Sequence, residues 1–278
     1  MKKFRGVFIK NEREIALMRE ANRVGALILD ALVGQVRPGV RTMMFEEIAR
    51  QMCADMHVKP ANLGYGGFPY VLCCSVNEQV VHGFPSARVL EEGDIVSFDM
   101  GVVYEGFYSD SARTVAVGKV SEEAERLLRV TEECLALGIA EARPGNDLSA
   151  ISAAVQRHAE AAGFHVVQRF VGHGIGVNYH EKPEVPNFVT RRSPLPLMPG
   201  MVLAIEPMVC VGTHEVDLLE DNWTAVTRDG SLAAHCEHSV AITAQGPEIL
   251  SLSPRRQERL SECLRDDPRG VDSLQKTR

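Results

Sequence analysis

Apolar positions recur at helical spacing in Glu12 to Val36, Met43 to Met56, Ser121 to Ala142 and Leu148 to Ala162, with Gly163 placed to cap the last of these. Between and after them, Asp94 to Val103 and Met201 to Val211 are rich in β-branched residues and alternate, which predicts strands. The elements form a repeat. Arg37-Pro38-Gly39 recurs as Arg143-Pro144-Gly145 at an offset of 106 residues, and Leu90-x-x-Gly93 followed by Asp99 recurs as Leu197-x-x-Gly200 followed by Glu206 at an offset of 107. Two well-separated landmarks that keep nearly one offset indicate an internal duplication. The chain therefore reads as two helix–helix–strand halves about a pseudo-twofold axis: an α+β fold with a mainly antiparallel sheet inside and helices outside. A cleft between such halves would receive one carboxylate from each, Asp99 and Glu206, both set within apolar strands.

This pattern stops near residue 252, so we read 1–252 as the folded unit and the charged stretch 253–278 as a solvated helix or disordered extension. With 45% apolar and 24% charged residues among 278, the composition is that of a soluble globular protein. A net charge of −7 argues against non-specific nucleic-acid or membrane-surface binding, either of which wants a basic stripe. The longest apolar stretch, Val24 to Gly34, is interrupted by Asp30 and falls short of the roughly 18 residues of a membrane span. Charged Lys10, Glu12 and Arg13 follow the basic N-terminus before a signal-peptide core could form. Seven cysteines, two of them adjacent and none spaced Cys-x-x-Cys, make neither a disulfide framework nor a zinc ribbon. A reducing, cytoplasmic compartment is expected, and nothing demands more than a monomer.

Chemistry concentrates on a few acids and imidazoles. Asp94–Val103 and Gly106–Val115 read as a hairpin turning at Tyr104 to Phe107. In such a hairpin, paired positions sum to an odd number, which places Asp99 and Asp110 on one face within about 8 Å. Phe98, Met100 and Val102 point the other way, so the plain alternative is a wet strand face bearing two exposed aspartates. Other elements favour a site. Gly172-His173-Gly174-Ile175-Gly176 sets an imidazole among glycines, Pro207 holds Glu206 extended at a strand end, and Glu237 opens the apolar run Ser239 to Thr243. The donor set Asp99, Asp110, His173, Glu206 and Glu237 is oxygen-rich with one nitrogen, suited to Mn, Fe, Co or Zn and unlike a thiolate zinc site. Four carboxylates balance two divalent cations, the arrangement of many hydrolytic centres.

At this point the sequence resembles the methionine aminopeptidases of the short bacterial type (type I), whose pita-bread fold is shared with prolidases and creatinases. The resemblance covers residues 8 to 252. It rests on Leu63 to Pro69, Cys73 to Glu78, Val81-His82-Gly83-Phe84-Pro85, Asp94 to Asp99, Asp110, Gly172 to Gly176, His180-Glu181-x-Pro183, Ile205-Glu206-Pro207-Met208 and Glu237-His238. It implies that the family's metal ligands fall on the five donors above. Its non-ligand catalytic histidines fall on His82 and His180, and its methionine pocket on Tyr65, Phe68, Cys73, Tyr179 and Trp223. The implied reaction is metal-dependent removal of the initiator methionine from peptides and from nascent chains at the ribosome, with Glu206 also handling a proton.

The chain departs from the family at several positions. Asn62 precedes Leu63 where serine or cysteine is usual, Pro69-Tyr70-Val71 replaces a small or basic run, and Tyr108-Ser109-Asp110 replaces His-Gly-Asp. His235-Cys236 precedes Glu237 where glutamine and an aromatic residue are usual, setting an extra imidazole beside a ligand. Two alternatives stand beside the aminopeptidase reading. Prolidases and X-Pro aminopeptidases carry a large N-terminal domain, whereas only 11 residues precede the first helix here. A non-hydrolytic pita-bread binding protein would have little reason to keep a costly cluster of charges.

Overall fold

The computed structural model describes residues 2–191 and 194–253. The tail expected at 253–278 lies, from 254 on, outside the described residues. Four helices form where the periodicity predicts them: α1 (Glu12–Val33), α2 (Thr42–Asp55), α3 (Glu122–Glu141) and α4 (Ser149–Ala161). Asn11 and Glu14 make a reciprocal capping box at the start of α1, and Ser121 caps α3 by accepting from the Ala124 amide. Apolar spacing continues to Val36, yet α1 stops at Val33, where Gly34 follows and Pro38 lies ahead. Gly163 adopts φ +78°, and the Phe164 amide reaches back to the Ala159 carbonyl at 2.9 Å, the Schellman closure expected of that glycine. No described helix is long and apolar enough to cross a membrane.

Eight strands form the principal sheet: β1 (Cys73–Val76), β2 (Ile95–Met100), β3 (Ser111–Ala116), β4 (Gly172–Gly174), β5 (Glu181–Val185), β6 (Val202–Ile205), β7 (Glu237–Thr243) and β8 (Gly246–Ile249). Their order is β5-β4-β6-β7-β3-β2-β1, antiparallel throughout, with β8 beside the far end of β7. The duplication is visible in backbone bonds. The Gly39 amide donates to the Leu90 carbonyl at 2.8 Å, and the Gly145 amide to the Leu197 carbonyl at 2.9 Å. Helices cover one sheet face. Ile28, Leu32 and Phe45 pack with Phe98 and Met100 in the first half, and Ile139 and Ile151 with Leu203, Ile205 and Val240 in the second.

The two predicted strands are each interrupted. Asp94–Val103 breaks at Gly101, where a Cβ would lie 2.1 Å from the Ser109 carbonyl oxygen. Met201–Val211 breaks at Glu206-Pro207, because Pro207 has no N–H for the ladder, and Met208–Cys210 joins a separate three-stranded sheet with Ala233–His235. The hairpin parity holds: Asp99 pairs with Ala112 and Val103 with Tyr108, so the ladder resumes in one register past the break.

Candidate metal centre

Register alone assembles the donors. Cys73 pairs with Asp99, Asp99 with Ala112, and Ala112 with Glu237, making one row across β1, β2, β3 and β7. Ile205 pairs with His238 and Met208 with His235 in a common register, which sets Glu206 across from Glu237 and extends the row. Two residues along each strand, a second row runs through Gly101, Asp110, Ser239, Ala204 and His173. Residues two apart on a strand share a face. All five predicted donors therefore stand on the sheet face opposite the helices. The other positions in the two rows are Cys73, Gly101, Ala112, Ala204 and Ser239, all small, which leaves open the space the donors surround. The two aspartates do not stand on a wet strand face: Asp110 is 5% exposed, and both line a cavity.

The side chains converge on the His173 imidazole. Its Nδ1–H donates to the Gly174 carbonyl at 3.0 Å, which leaves the Nε2 lone pair facing the carboxylates. Nε2 lies 3.5 Å from Glu206 Oε1 and 3.7 Å from Asp110 Oδ2. Donor atoms of Asp110, His173 and Glu237 all lie within 4.8 Å of one another. Glu237 Oε1 is buried with no hydrogen-bond partner among the described residues, which a cation at that point would supply. Burial raises Asp99 to about 7 and pushes Asp110, Glu206 and Glu237 well above the usual carboxylate range, the last three also by mutual repulsion. Burial lowers His173 to about 3 and keeps the imidazole neutral. Buried, mutually repelling oxygens around one neutral nitrogen fit hard or borderline divalent ions.

A cavity of about 320 Å³ opens beside these donors, and every site residue predicted from sequence lines it. Phe68 and Trp223 pack edge to face at 5.1 Å, with Tyr65 and Cys73 nearby in the same wall. Gly66, at φ +57°, lets the loop approach the Trp223 ring. His180 bonds through Nδ1 to the Tyr65 hydroxyl at 2.8 Å and lies 4.0 Å, ring to ring, from His173. His82 sits at φ +60°, an uncommon conformation for a side-chain-bearing residue, with Gly83 behind it pressed against the Cys74 carbonyl. Burial lowers His82 to about 4.

Asn62 also lines the cavity, although its residue type marks no chemistry in the sequence. Asn62 Oδ1 accepts from the Gly101 amide at 3.1 Å and from the Tyr179 hydroxyl at 2.8 Å, and that hydroxyl also lies 3.1 Å from Asp110 Oδ1. Asn62 thus ties the pocket loop to a donor at the point where β2 ends. The signal available was its departure from the family's usual residue.

The match to metallopeptidase family M24 runs over residues 16–244. The chain is similar to the methionine aminopeptidase of Clostridium perfringens, 51% identical over 246 residues, covering 88% of this chain and 99% of the relative. Methionine aminopeptidase 1 of Bacillus subtilis is 45% identical over 245 residues, with the same coverage of 88% and 99%. Among solved structures, the methionine aminopeptidase of Thermotoga maritima superposes with a TM-score of 0.86 at 44% identity, covering 88% of this chain and 99% of that one. A Xaa-Pro dipeptidase from Bacillus anthracis shares the fold alone, with a TM-score of 0.72 at 23% identity over 88% of this chain and 62% of its own. The architecture is the pita-bread fold. With the family match covering most of its length and these relatives aligned nearly end to end, the chain belongs to metallopeptidase family M24.

Proposed function

We propose that this protein is a methionine aminopeptidase that hydrolyses the first peptide bond of a chain beginning with methionine. The observation that carries the reading is the pair of donor rows facing a small aromatic cavity on one sheet face. Asp99, Asp110, His173, Glu206 and Glu237 would hold two divalent cations, drawn from Mn, Fe, Co or Zn. Bound there, the ions would supply Lewis-acid polarisation of a carbonyl and lower the pKa of water. The rest is the work of side chains. Glu206, at the break in its strand, accepts the proton of the attacking water. His82, neutral because it is buried, stands in the cavity wall to pass a proton toward the leaving amide nitrogen. With Tyr65 O–H donating to Nδ1 of His180, Nε2 carries the hydrogen and offers it to the developing oxyanion. Tyr65, Phe68, Cys73, Tyr179 and Trp223 form the side-chain pocket, whose aromatic faces favour a thioether over a branched or charged group.

Nascent chains, with contact at the ribosome, a monomeric state and a cytoplasmic location complete the proposal, as does a peptidase unit ending near residue 252. The test is a side-by-side assay of a Met-Ala-Ser peptide, an X-Pro peptide and a metal-free control. Methionine release that requires Mn, Co or Fe supports the reading. Turnover of the X-Pro peptide alone would move the chain to the prolidase class, and no turnover of either would make it a binding protein.

A further inference from the structure

His235 is 1% exposed, and among the described residues neither ring nitrogen has a hydrogen-bond partner. Such a residue is costly, because two polar atoms have left water for nothing. A histidine retained for packing would be expected to satisfy at least one of them. Its place is nonetheless firmly set. The Thr114 hydroxyl accepts from the His235 amide at 2.8 Å and donates to the His235 carbonyl at 2.7 Å, so the main chain is clamped on both sides. The ring is thus held by the scaffold and aimed by it. Nε2 stands 3.8 Å from Oε2 of Glu206, outside hydrogen-bond length.

Glu206 consequently lies between two imidazoles, one on each oxygen: His173 Nε2 at 3.5 Å from Oε1 and His235 Nε2 at 3.8 Å from Oε2. Asp110 shows the same division. Its Oδ2 faces His173, and its Oδ1 lies 3.1 Å from the Tyr179 hydroxyl. In both carboxylates one oxygen faces Nε2 of His173 and the other a neutral polar group, the Tyr179 hydroxyl or the His235 ring.

We propose that His235 is a positioning residue whose Nε2–H holds the outer oxygen of Glu206, so that only Oε1 turns toward His173 and the bound cation. The proposal rests on the reading of Glu206 as a metal ligand. With a cation held among these carboxylates their repulsion would fall, and the His235–Glu206 contact would close to hydrogen-bond length, as catalytic contacts commonly do on loading. His235 touches neither substrate nor cation in this scheme; it acts through Glu206.

Two substitutions separate this from a packing role: His235→Leu fills the space without a donor, and His235→Gln restores an N–H at similar reach. The full chain is stripped of metal, titrated with Mn2+ by calorimetry, and melted in its metal-free form. His235→Leu is expected to bind Mn2+ about tenfold or more weakly and to lose kcat with little change in KM, while its metal-free melting temperature holds or rises because two unpaired polar atoms are gone. His235→Gln is expected to recover most of the affinity. A Leu variant that titrates like the parent overturns the proposal, as do Leu and Gln variants equally weakened with lowered melting temperatures, which is the signature of packing. A parent chain that takes up no Mn2+ overturns the metal reading underneath, and the proposal with it.

Discussion

Asp99 and Glu206 occupy one position in the duplicated scaffold, each six residues past the glycine that recurs in its half, Gly93 or Gly200. Their surroundings differ. Asp99 lies inside an intact ladder, paired with Cys73 on one side and Ala112 on the other, so its backbone is held from both directions. Glu206 follows the last paired residue of its strand, and Pro207 ends the ladder immediately after it. One carboxylate is fixed and the other stands at a joint between two sheets, flanked by imidazoles. A duplicated backbone therefore delivers two acids to one cleft, and in the proposed reaction the local break would leave Glu206 the one able to exchange a proton as well as bind.

The sharpest test of that difference substitutes both acids. Glu206→Gln should lower kcat by about 10²–10⁴-fold at saturating metal, the usual size of a lost general base, with the fold retained. Asp99→Asn should act mainly on affinity, raising the Mn2+ concentration needed while keeping more of kcat once the site is filled. Equal losses of kcat at saturating Mn2+, measured on one methionine peptide, would erase the distinction between the two halves.

Cations bridging the rows would hold both halves against the repulsion of their acids, so removing them should lower stability. At a free metal concentration near 100 times Kd, binding contributes roughly 2.7 kcal/mol, and chelation should lower the melting temperature by several degrees. Unchanged melting on chelation would break the idea that the halves share ions. Proton linkage gives a smaller effect that isolates one half. Burial raises folded Asp99 from 3.8 to about 7, so in metal-free protein the folded state binds the extra proton. Its stability contribution is full below the unfolded pKa and declines as pH rises through about 7. His173 and His235, lowered to about 3 by burial, have the opposite slope, losing stability as pH falls below their unfolded value. Comparing metal-free parent and Asp99→Asn cancels the histidines. The parent's melting temperature relative to the variant should fall between pH 4 and pH 7, and a flat difference would remove Asp99 from the buried cluster.

Much of this was legible in the sequence, for identifiable reasons. Helix positions followed from 3.6-residue spacing, and the shared face of Asp99 and Asp110 from strand parity, since both depend only on local periods. The five donors stood out as polar groups at strand ends and glycine turns within apolar runs. The two strand breaks were only half visible: Pro207 announces one, but Gly101 breaks its strand because the Ser109 carbonyl lies against it, a contact made by chain folding. The role of Ala112, Ala204 and Ser239 as space beside the donors could not be read either, because small residues look alike until register sets them in the donor rows. Asn62 was hidden for the same reason, its bonds reaching to Gly101 and Tyr179 across the fold.

The smallest effect asks how deep the duplication goes. Gly39 and Gly145 hold φ +87° and +92°, and a Cβ at either would meet nothing within 4 Å. Each amide makes the equivalent bond to Leu90 or Leu197. Replacing either by alanine therefore adds no clash, and the cost is the left-handed backbone alone, roughly 1–2 kcal/mol. Gly39→Ala and Gly145→Ala should lower the melting temperature by the same few degrees and leave Mn2+ affinity untouched, because neither turn reaches the cavity. If one costs much more than the other, the turns are not equivalent in energy, and the asymmetry between the halves begins in the scaffold, before the carboxylates are reached.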